Sequence, residues 1–300
     1  MTRLPESTAR RYGKVFDEIA DDYDRRRPAY PDELIDQACQ VASLTRGDHV
    51  LEVGCGSGQL TRSLLARGLR VTAVEPGKSL VTLATKNLAG AGEVEFVNAQ
   101  FENALLPREQ FTAVFSASAF HWVDPEVSWW KVADALVPGG TFALVQYFGL
   151  EEPRSRRDQE AALDAMRKVA PEIAADWPTY RDLKGTLTGI QQRRGNISAA
   201  WAWLGSYDIG RDYAASLFGD VDAALMPKLI ELTPDEANGL LRTMSFYARL
   251  SEAQRQALHR EYETIYKQLG RPIRASTVTA LVTARRTVGT HTCTPALRNG

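Results

Sequence analysis

Residues 48–58 read Asp48-His49-Val50-Leu51-Glu52-Val53-Gly54-Cys55-Gly56-Ser57-Gly58, and their reading decides the fold. The short apolar run His49–Val53 has the length and β-branched content of a buried strand. Three glycines at alternate positions follow, and a helix then runs through Leu65. Glycine is needed where the backbone takes positive φ, or where a ligand lies against the main chain. The helix N-terminus beyond it leaves backbone N–H groups free for that ligand. A dinucleotide fingerprint has the spacing G-x-G-x-x-G. Here the third glycine, Gly58, comes one residue early and position 59 is Gln59. That spacing, with the acid Glu52 inside the strand, turns the reading away from NAD or FAD.

Working outward, Arg70–Val74 is a second strand, and Glu75 closes it about 20 residues past Gly54, the span of a βαβ unit. A carboxylate at that point faces the glycine turn and can accept hydrogen bonds from both hydroxyls of a ribose. It would repel a 2′-phosphate. Turn and acid together predict an adenosine-bearing ligand. Further on come a helix over Lys78–Leu88 and strands over Val94–Val97 and Phe111–Ser116. A helix over Val127–Leu136, a turn at Pro138-Gly139-Gly140 and a fifth strand over Thr141–Tyr147 follow. Strands alternating with helices predict a parallel sheet in an α/β fold.

Upstream, residues 7–24 and Pro31–Leu44 read as helices, separated by Arg27-Pro28-Ala29-Tyr30-Pro31, because proline disfavours helix at the preceding residue. Downstream, residues 152–215 read as mostly helical and carry Trp177, Tyr180, Trp201, Trp203, Tyr207 and Tyr213. Leu225–Leu232 reads as a strand. Thr233-Pro234-Asp235-Glu236 is a helix start with threonine as N-cap and proline at the first helical position. Ser251-Glu252 opens another helix, closed by Gly270, and Ile273–Ala284 is a β-branched strand.

The 300 residues suffice for one large α/β domain with an insertion. The balance of 36 basic and 37 acidic residues, a net charge of −1, argues against a nucleic-acid partner, which usually meets a basic excess. Three cysteines, Cys39, Cys55 and Cys293, show no C-x-x-C spacing. No metal site is therefore expected, and a reducing compartment fits. No apolar run reaches the ~18 residues of a membrane span, and the N-terminus has no apolar core of a signal peptide. The expectation is a cytoplasmic protein without membrane attachment.

Glu52-Val53-Gly54-Cys55-Gly56-Ser57-Gly58, the acid Glu75, Ser116–Pro125 (Ser-Ala-Ser-Ala-Phe-His-Trp-Val-Asp-Pro) and Leu136–Thr141 (Leu-Val-Pro-Gly-Gly-Thr) together resemble a class I, Rossmann-like, S-adenosylmethionine-dependent methyltransferase. Within that superfamily the chain is similar to the small-molecule branch that includes trans-aconitate methyltransferases. Phe16-Asp17, Tyr23-Asp24 and Leu240–Ser245 fit the same branch. The resemblance implies a seven-stranded sheet with the last strand antiparallel, while the aromatic insertion, by its place directly after the fifth strand, reads as a substrate lid or as a second helical layer with its own core. The parts of the chain would be N-terminal cap helices at 1–47, a cofactor-binding core at 48–150, a substrate lid at 151–217, the rest of the core at 218–286 and a flexible tail at 287–300.

The same resemblance implies S-adenosylmethionine as cofactor, S-adenosylhomocysteine as product and methyl transfer to a small-molecule acceptor, to oxygen before nitrogen. Gly54, Gly56 and Gly58 would contact its methionine and ribose parts, and Glu75, followed by Pro76, the ribose. Gln100 stands where many relatives carry an aspartate that receives the adenine amino group, and a glutamine carbonyl can take that acceptor role. Phe101 would offer its backbone N–H to the ring, with Glu102 nearby. Ser116 and Ala117 would border the methionine, and Tyr23 and Arg27 would close over it. Glu52 either reaches the methionine amino group through water or only holds the glycine loop.

His121 follows the fourth strand and reads either as a general base or as a packed histidine beside Trp122. Methyl transfer from a sulfonium can draw most of its acceleration from alignment alone, whereas a hydroxyl acceptor calls for a base. Arg154, Arg156, Arg157, Arg193 and Arg194 read as solvated surface or as partners of an acidic substrate. Two rival functions stay open at this point: a nicotinamide-dependent oxidoreductase, and a protein that binds S-adenosylmethionine as a regulator without transferring its methyl.

Overall fold

A computed structural model describes residue 24, residues 29–175, residue 177 and residues 180–288. The expected helix at 7–24 apart from residue 24, the residues Tyr23 and Arg27, and the tail from 289 lie outside the described residues. Seven strands form one sheet: β1 (His49–Val53), β2 (Arg70–Val74), β3 (Val94–Val97), β4 (Phe111–Ala117), β5 (Leu136–Gly149), β6 (Phe218–Leu232) and β7 (Ile273–Arg286). Their order is β3-β2-β1-β4-β5-β7-β6. The first five are parallel, and β7 runs antiparallel between β5 and β6, as expected. The chain leaves β1 toward β2 and β3 on one side, and returns to β4 and β5 on the other. That reversal opens a crevice at the carboxyl ends of β1 and β4, where open α/β sheets bind ligands.

The central strands are apolar on both faces, which parallel sheets require because helices cover both sides. Side chains alternate across the sheet. On β5, Ala143 and Val145 join Leu34, Ile35 and Ala38 of α1 (Asp32–Val41) and Leu60 and Leu64 of α2 (Gln59–Ala66). Phe142 and Leu144 point the other way, toward Trp129 and Val132. α3 (Lys78–Asn87) connects β2 to β3, and α4 (Pro125–Ala135) connects β4 to β5. The latter starts two residues earlier than its apolar spacing indicates, because Asp124 accepts a hydrogen bond from the Glu126 N–H and Pro125 fits the first turn.

Residues 152–215 are helical, as read, and divide their packing between two places. α5 (Arg156–Val169) and α6 (Pro171–Ala174) meet α10 (Pro234–Arg242) and α11 (Glu252–Leu269) in a separate apolar cluster around Met166, Ile173, Leu241, Leu258 and Tyr262. α7 (Leu183–Gln191), α8 (Ile197–Gly205) and α9 (Ala214–Leu217) lay Ile190, Ile197, Trp201 and Leu217 against the Trp129 side of the sheet. Buried Asp158 on α5 holds the first group to β7. It accepts two hydrogen bonds from Arg271, at 2.7 and 3.0 Å, and one from the Arg274 N–H at 2.7 Å.

Two sequence readings are corrected. Pro138-Gly139-Gly140 is not a turn between elements. It lies inside β5, where the pairing with β4 shifts register between Phe111 and Ala113 and Gly139 takes a φ of 75°. The three residues form an irregularity that lets one long strand start directly from α4. β6 begins at Phe218 rather than Leu225, because its first half pairs with β7 across another register shift at Gly219/Asp222. Gly219, Asp220 and Asp222 hide that half from any alternating pattern.

Candidate active site

The loop after β1 is fixed by its neighbours before any ligand is considered. Gly54 has a φ of 75°, and a Cβ there would lie 2.2 Å from the Ala119 Cβ in the loop after β4. Only glycine permits both the left-handed backbone and that approach. The Gly54 and Cys55 N–H groups donate to the Val74 carbonyl at 2.8 and 3.3 Å, so the loop is pinned to the end of β2. Gly58, at φ 90°, is the N-cap of α2, and a Cβ on it would reach Leu88 at 2.7 Å. Gly56 is also left-handed, at φ 56°.

Glu75 leaves β2 at the same point. One carboxylate oxygen accepts the Gly56 N–H at 3.0 Å and the other the Gly77 N–H at 2.9 Å. The side chain is largely buried, with 7% of the residue exposed. Both oxygens are hydrogen-bond acceptors, the type of group that a ligand hydroxyl requires. Asn98, which the sequence reading missed, donates to the Glu75 and Pro76 carbonyls at 2.9 and 3.1 Å and so sets the turn that aims the carboxylate. Its only sequence signal is its place directly after β3. The Ser57 hydroxyl in the loop is buried and has no hydrogen-bond partner among the described residues.

The other expected residues divide into those at the crevice and those spent on structure. Glu52 is fully buried and accepts the Thr61 hydroxyl of α2 at 2.6 Å. Burial pushes its carboxyl up to about 7, the Thr61 hydrogen bond opposes this and the charge of Glu75 adds to it. Ser116 donates to the Val53 carbonyl at 2.8 Å and ties β4 to β1; Ala117, also buried, ends β4. Gln100 is exposed, and its carbonyl accepts from Asn103 at 3.2 Å. Phe101 is buried, with the Lys131 ammonium 5.4 Å from its ring centre. Glu102 accepts the Asp124 N–H at 2.8 Å, which joins the loop after β3 to the start of α4. Cys55 is buried as a small packing residue, and burial raises its thiol far above the usual range.

An aromatic rim stands at the carboxyl ends of β4 and β5. His121 lies in a single 3-10 turn, Phe120–Trp122, after β4. Its ring stacks on Tyr207 with centres 4.4 Å apart and planes 4° apart, and tilts against Trp122 at 4.7 Å. Gln146 of β5 donates to the Tyr207 hydroxyl. On the other side Tyr30 stacks on Tyr147 at 5.2 Å and donates to Ser118 at 3.1 Å. Tyr207, from the inserted helices, thus reaches the end of β4. The sequence flagged it only as an aromatic, since nothing local links positions 121, 146 and 207.

Residues 51–144 match a family described as methyltransferase domain. That stretch contains the glycine loop, Glu75, Gln100 to Glu102 and His121. An uncharacterized methyltransferase of Mycobacterium tuberculosis is 35% identical over 160 residues, which are 53% of this chain and 59% of the relative. A trans-aconitate 2-methyltransferase of Paracidovorax citrulli is 31% identical over 146 residues, 47% of this chain and 53% of that protein. The matches thus span less than two thirds of these relatives' own lengths. The solved structure of a candidate type II methyltransferase from Anaeromyxobacter dehalogenans aligns with 86% of this chain and 97% of its own, at a TM-score of 0.57 and 23% identity. That likeness is one of fold. The domain match over 51–144, the strand order and the loop are together similar to those of a class I, S-adenosylmethionine-using methyltransferase domain. No helix among the described residues is long and apolar enough to cross a membrane. Nor do the described residues hold a cluster of histidine, cysteine and acid side chains fit for a metal.

Proposed function

We propose that this protein is a cytosolic enzyme that moves a methyl group from S-adenosylmethionine to a small-molecule acceptor, to oxygen in preference to nitrogen. The observation that carries the reading is the Glu75 carboxylate, held by the Gly56 and Gly77 N–H groups at the end of β2. The fit to the cofactor rests on the place of that carboxylate, an acceptor of the kind a ribose diol needs, beside the glycine loop, and on the buried Ser57 hydroxyl without a partner among the described residues. Bound S-adenosylmethionine supplies a methyl group on a sulfonium, which leaves as a neutral thioether. Gly54, Gly56 and Gly58 give the main-chain surface for it, while Phe101 and Gln100 border the adenine and Ser116 and Ala117 the methionine. Tyr23 and Arg27 belong to the same proposal, as closing residues from the N-terminal segment.

The protein's own contribution is alignment and exclusion of water. His121, held flat on Tyr207, is the side chain we assign as base for a hydroxyl acceptor. The helices of 151–217 act as the lid that selects the acceptor. A near-neutral charge and an aromatic rim favour a small metabolite over a nucleic acid. Incubation with methyl-labelled S-adenosylmethionine and a library of carboxylic acids, phenols and amines tests the reading. Label should pass to an oxygen acceptor, and His121→Asn should lower turnover of phenols more than of carboxylates. Cofactor binding with no transfer to any acceptor would favour a regulator instead.

A further inference from the structure

Arg181 and Arg193 both lie over the indole of Trp203, with their guanidinium carbons 4.3 and 4.7 Å from the ring centre. Like charges gathered on one ring repel each other. Burial and the nearby Arg193 together pull the Arg181 guanidinium below its ordinary value. An acid would relieve this, yet neither side chain forms an ion pair among the described residues. Arg181 reaches only the Leu204 and Trp203 carbonyls, at 3.4 and 3.5 Å, and Arg193 only the Gly189 carbonyl, at 2.8 Å. Elsewhere the part-buried arginines Arg67, Arg211, Arg271 and Arg286 each meet a carboxylate. A guanidinium has five N–H donors, so most of the donors on this pair are uncommitted.

The platform is rigid. The Trp203 ring lies against Gly189 of α7, where a Cβ would come within 1.9 Å of it. Beside the ring opens a cleft of about 370 Å³, lined by Arg193, Trp203, Lys184, Thr188 and Gln192, large enough for a small metabolite. Among the described residues Asp182 is the one acid in its wall, and its carboxylate is taken up by the Gly185 N–H at 2.6 Å as the cap of α7. Arg181 lies over the same ring without lining the cleft, and its backbone pairs with Leu150 just past β5. None of these residues belongs to the glycine loop or to the Glu75 turn.

We propose that the cleft between α7 and α8 is an oxyanion-binding site, in which Arg193 grips a carboxylate or phosphate group, while Lys184 in the wall and the Arg181 charge on the same indole add positive potential. A guanidinium suits such multidentate oxyanions, since it can donate two hydrogen bonds in parallel. The site stands independently of the methyl-transfer reading. Calorimetry on the full chain at low salt, with inorganic phosphate, phenyl phosphate and benzoate as probes, tests it. At least one probe should bind, and Arg193→Gln should weaken it by about tenfold, the loss of one charged hydrogen-bonding partner, with Arg181→Gln weakening it less. Thermal melting of each variant reports that it is folded. Phenyl phosphate or benzoate binding more tightly than inorganic phosphate identifies an anion carried on a small organic molecule; the reverse order identifies a free ion. Failure of all three probes to bind, or equal binding by wild type and a folded Arg181→Gln/Arg193→Gln double variant, overturns the proposal.

Discussion

Two carboxylates, Glu52 and Glu75, stand at the ends of adjacent strands with opposite assignments. Glu75 is held as a hydrogen-bond acceptor by two backbone N–H groups. Glu52 is buried against α2 and its carboxyl is pushed up to about 7. The sign follows from linkage. Below the ordinary carboxyl range both folded and unfolded chains hold the proton. As pH rises toward 7 the unfolded chain releases it while the folded chain keeps it, so stability falls through that window and the penalty is complete above it. Glu52→Gln keeps an acceptor for Thr61 and removes the ionisation. Chemical denaturation at pH 5 and pH 8 should show a variant that loses less stability across the interval, by about 3 kcal/mol, the free energy of a shift of this size. An unchanged pH dependence would mean that Glu52 ionises freely in the fold. The sequence showed that an acid sits in the strand but left two roles open. The structure gives it a partner in Thr61, nine residues away in sequence and one helix turn inside α2.

At the scale of elements, the loop after β1 works because it is locked to the loop after β4. Gly54→Ala should cost about 1–2 kcal/mol from its left-handed backbone, and more from the collision with Ala119. Adding Ala119→Gly should recover the steric part only. Thermal melts of the single and double variants would separate the two costs, and full recovery in the double variant would contradict the backbone argument. The strand–glycine–helix unit was legible because its glycines, its apolar run and its helix fall within a few residues of one another. The same holds for the start of α10, where Thr233 is the N-cap as read, and the structure adds its reciprocal hydrogen bonds with Glu236. The irregular start of β5 and the first half of β6 were not legible. Their geometry is set by pairing with β4 and β7, and locally Pro138-Gly139-Gly140 looks like any turn. Contacts such as Asn98 to the Glu75 turn were hidden for the same reason: they depend on two strands being neighbours.

For the whole molecule, the insertion after β5 serves two bodies. α7 to α9 complete one face of the sheet and deliver Tyr207 and Trp203 to its carboxyl end, whereas α5 and α6 join α10 and α11. Asp158 is the polar link of that second group to β7. Hydrogen bonds hold its carboxyl below the usual range despite burial. That stabilisation is therefore present above the ordinary carboxyl pKa and is lost as acid protonates the folded form. Asp158→Ala should destabilise by about 3 kcal/mol, as expected when a buried ion pair loses one partner. Hydrogen exchange should quicken in α5 and α11 before the core strands, and uniform quickening would contradict a separate helical group. The helical content of 152–215 was read from the sequence, but its division between two cores was not, because apolar spacing shows that a helix buries a face without naming the face it meets.

The central claim is that Glu75 and the glycine loop bind S-adenosylmethionine. Titration calorimetry of wild type and Glu75→Ala with S-adenosylhomocysteine measures it most directly. Wild type should bind in the micromolar range, and the variant at least about tenfold more weakly, the cost of losing charged hydrogen bonds to the ribose. Equal affinity in a folded variant, or no binding to wild type, would contradict it.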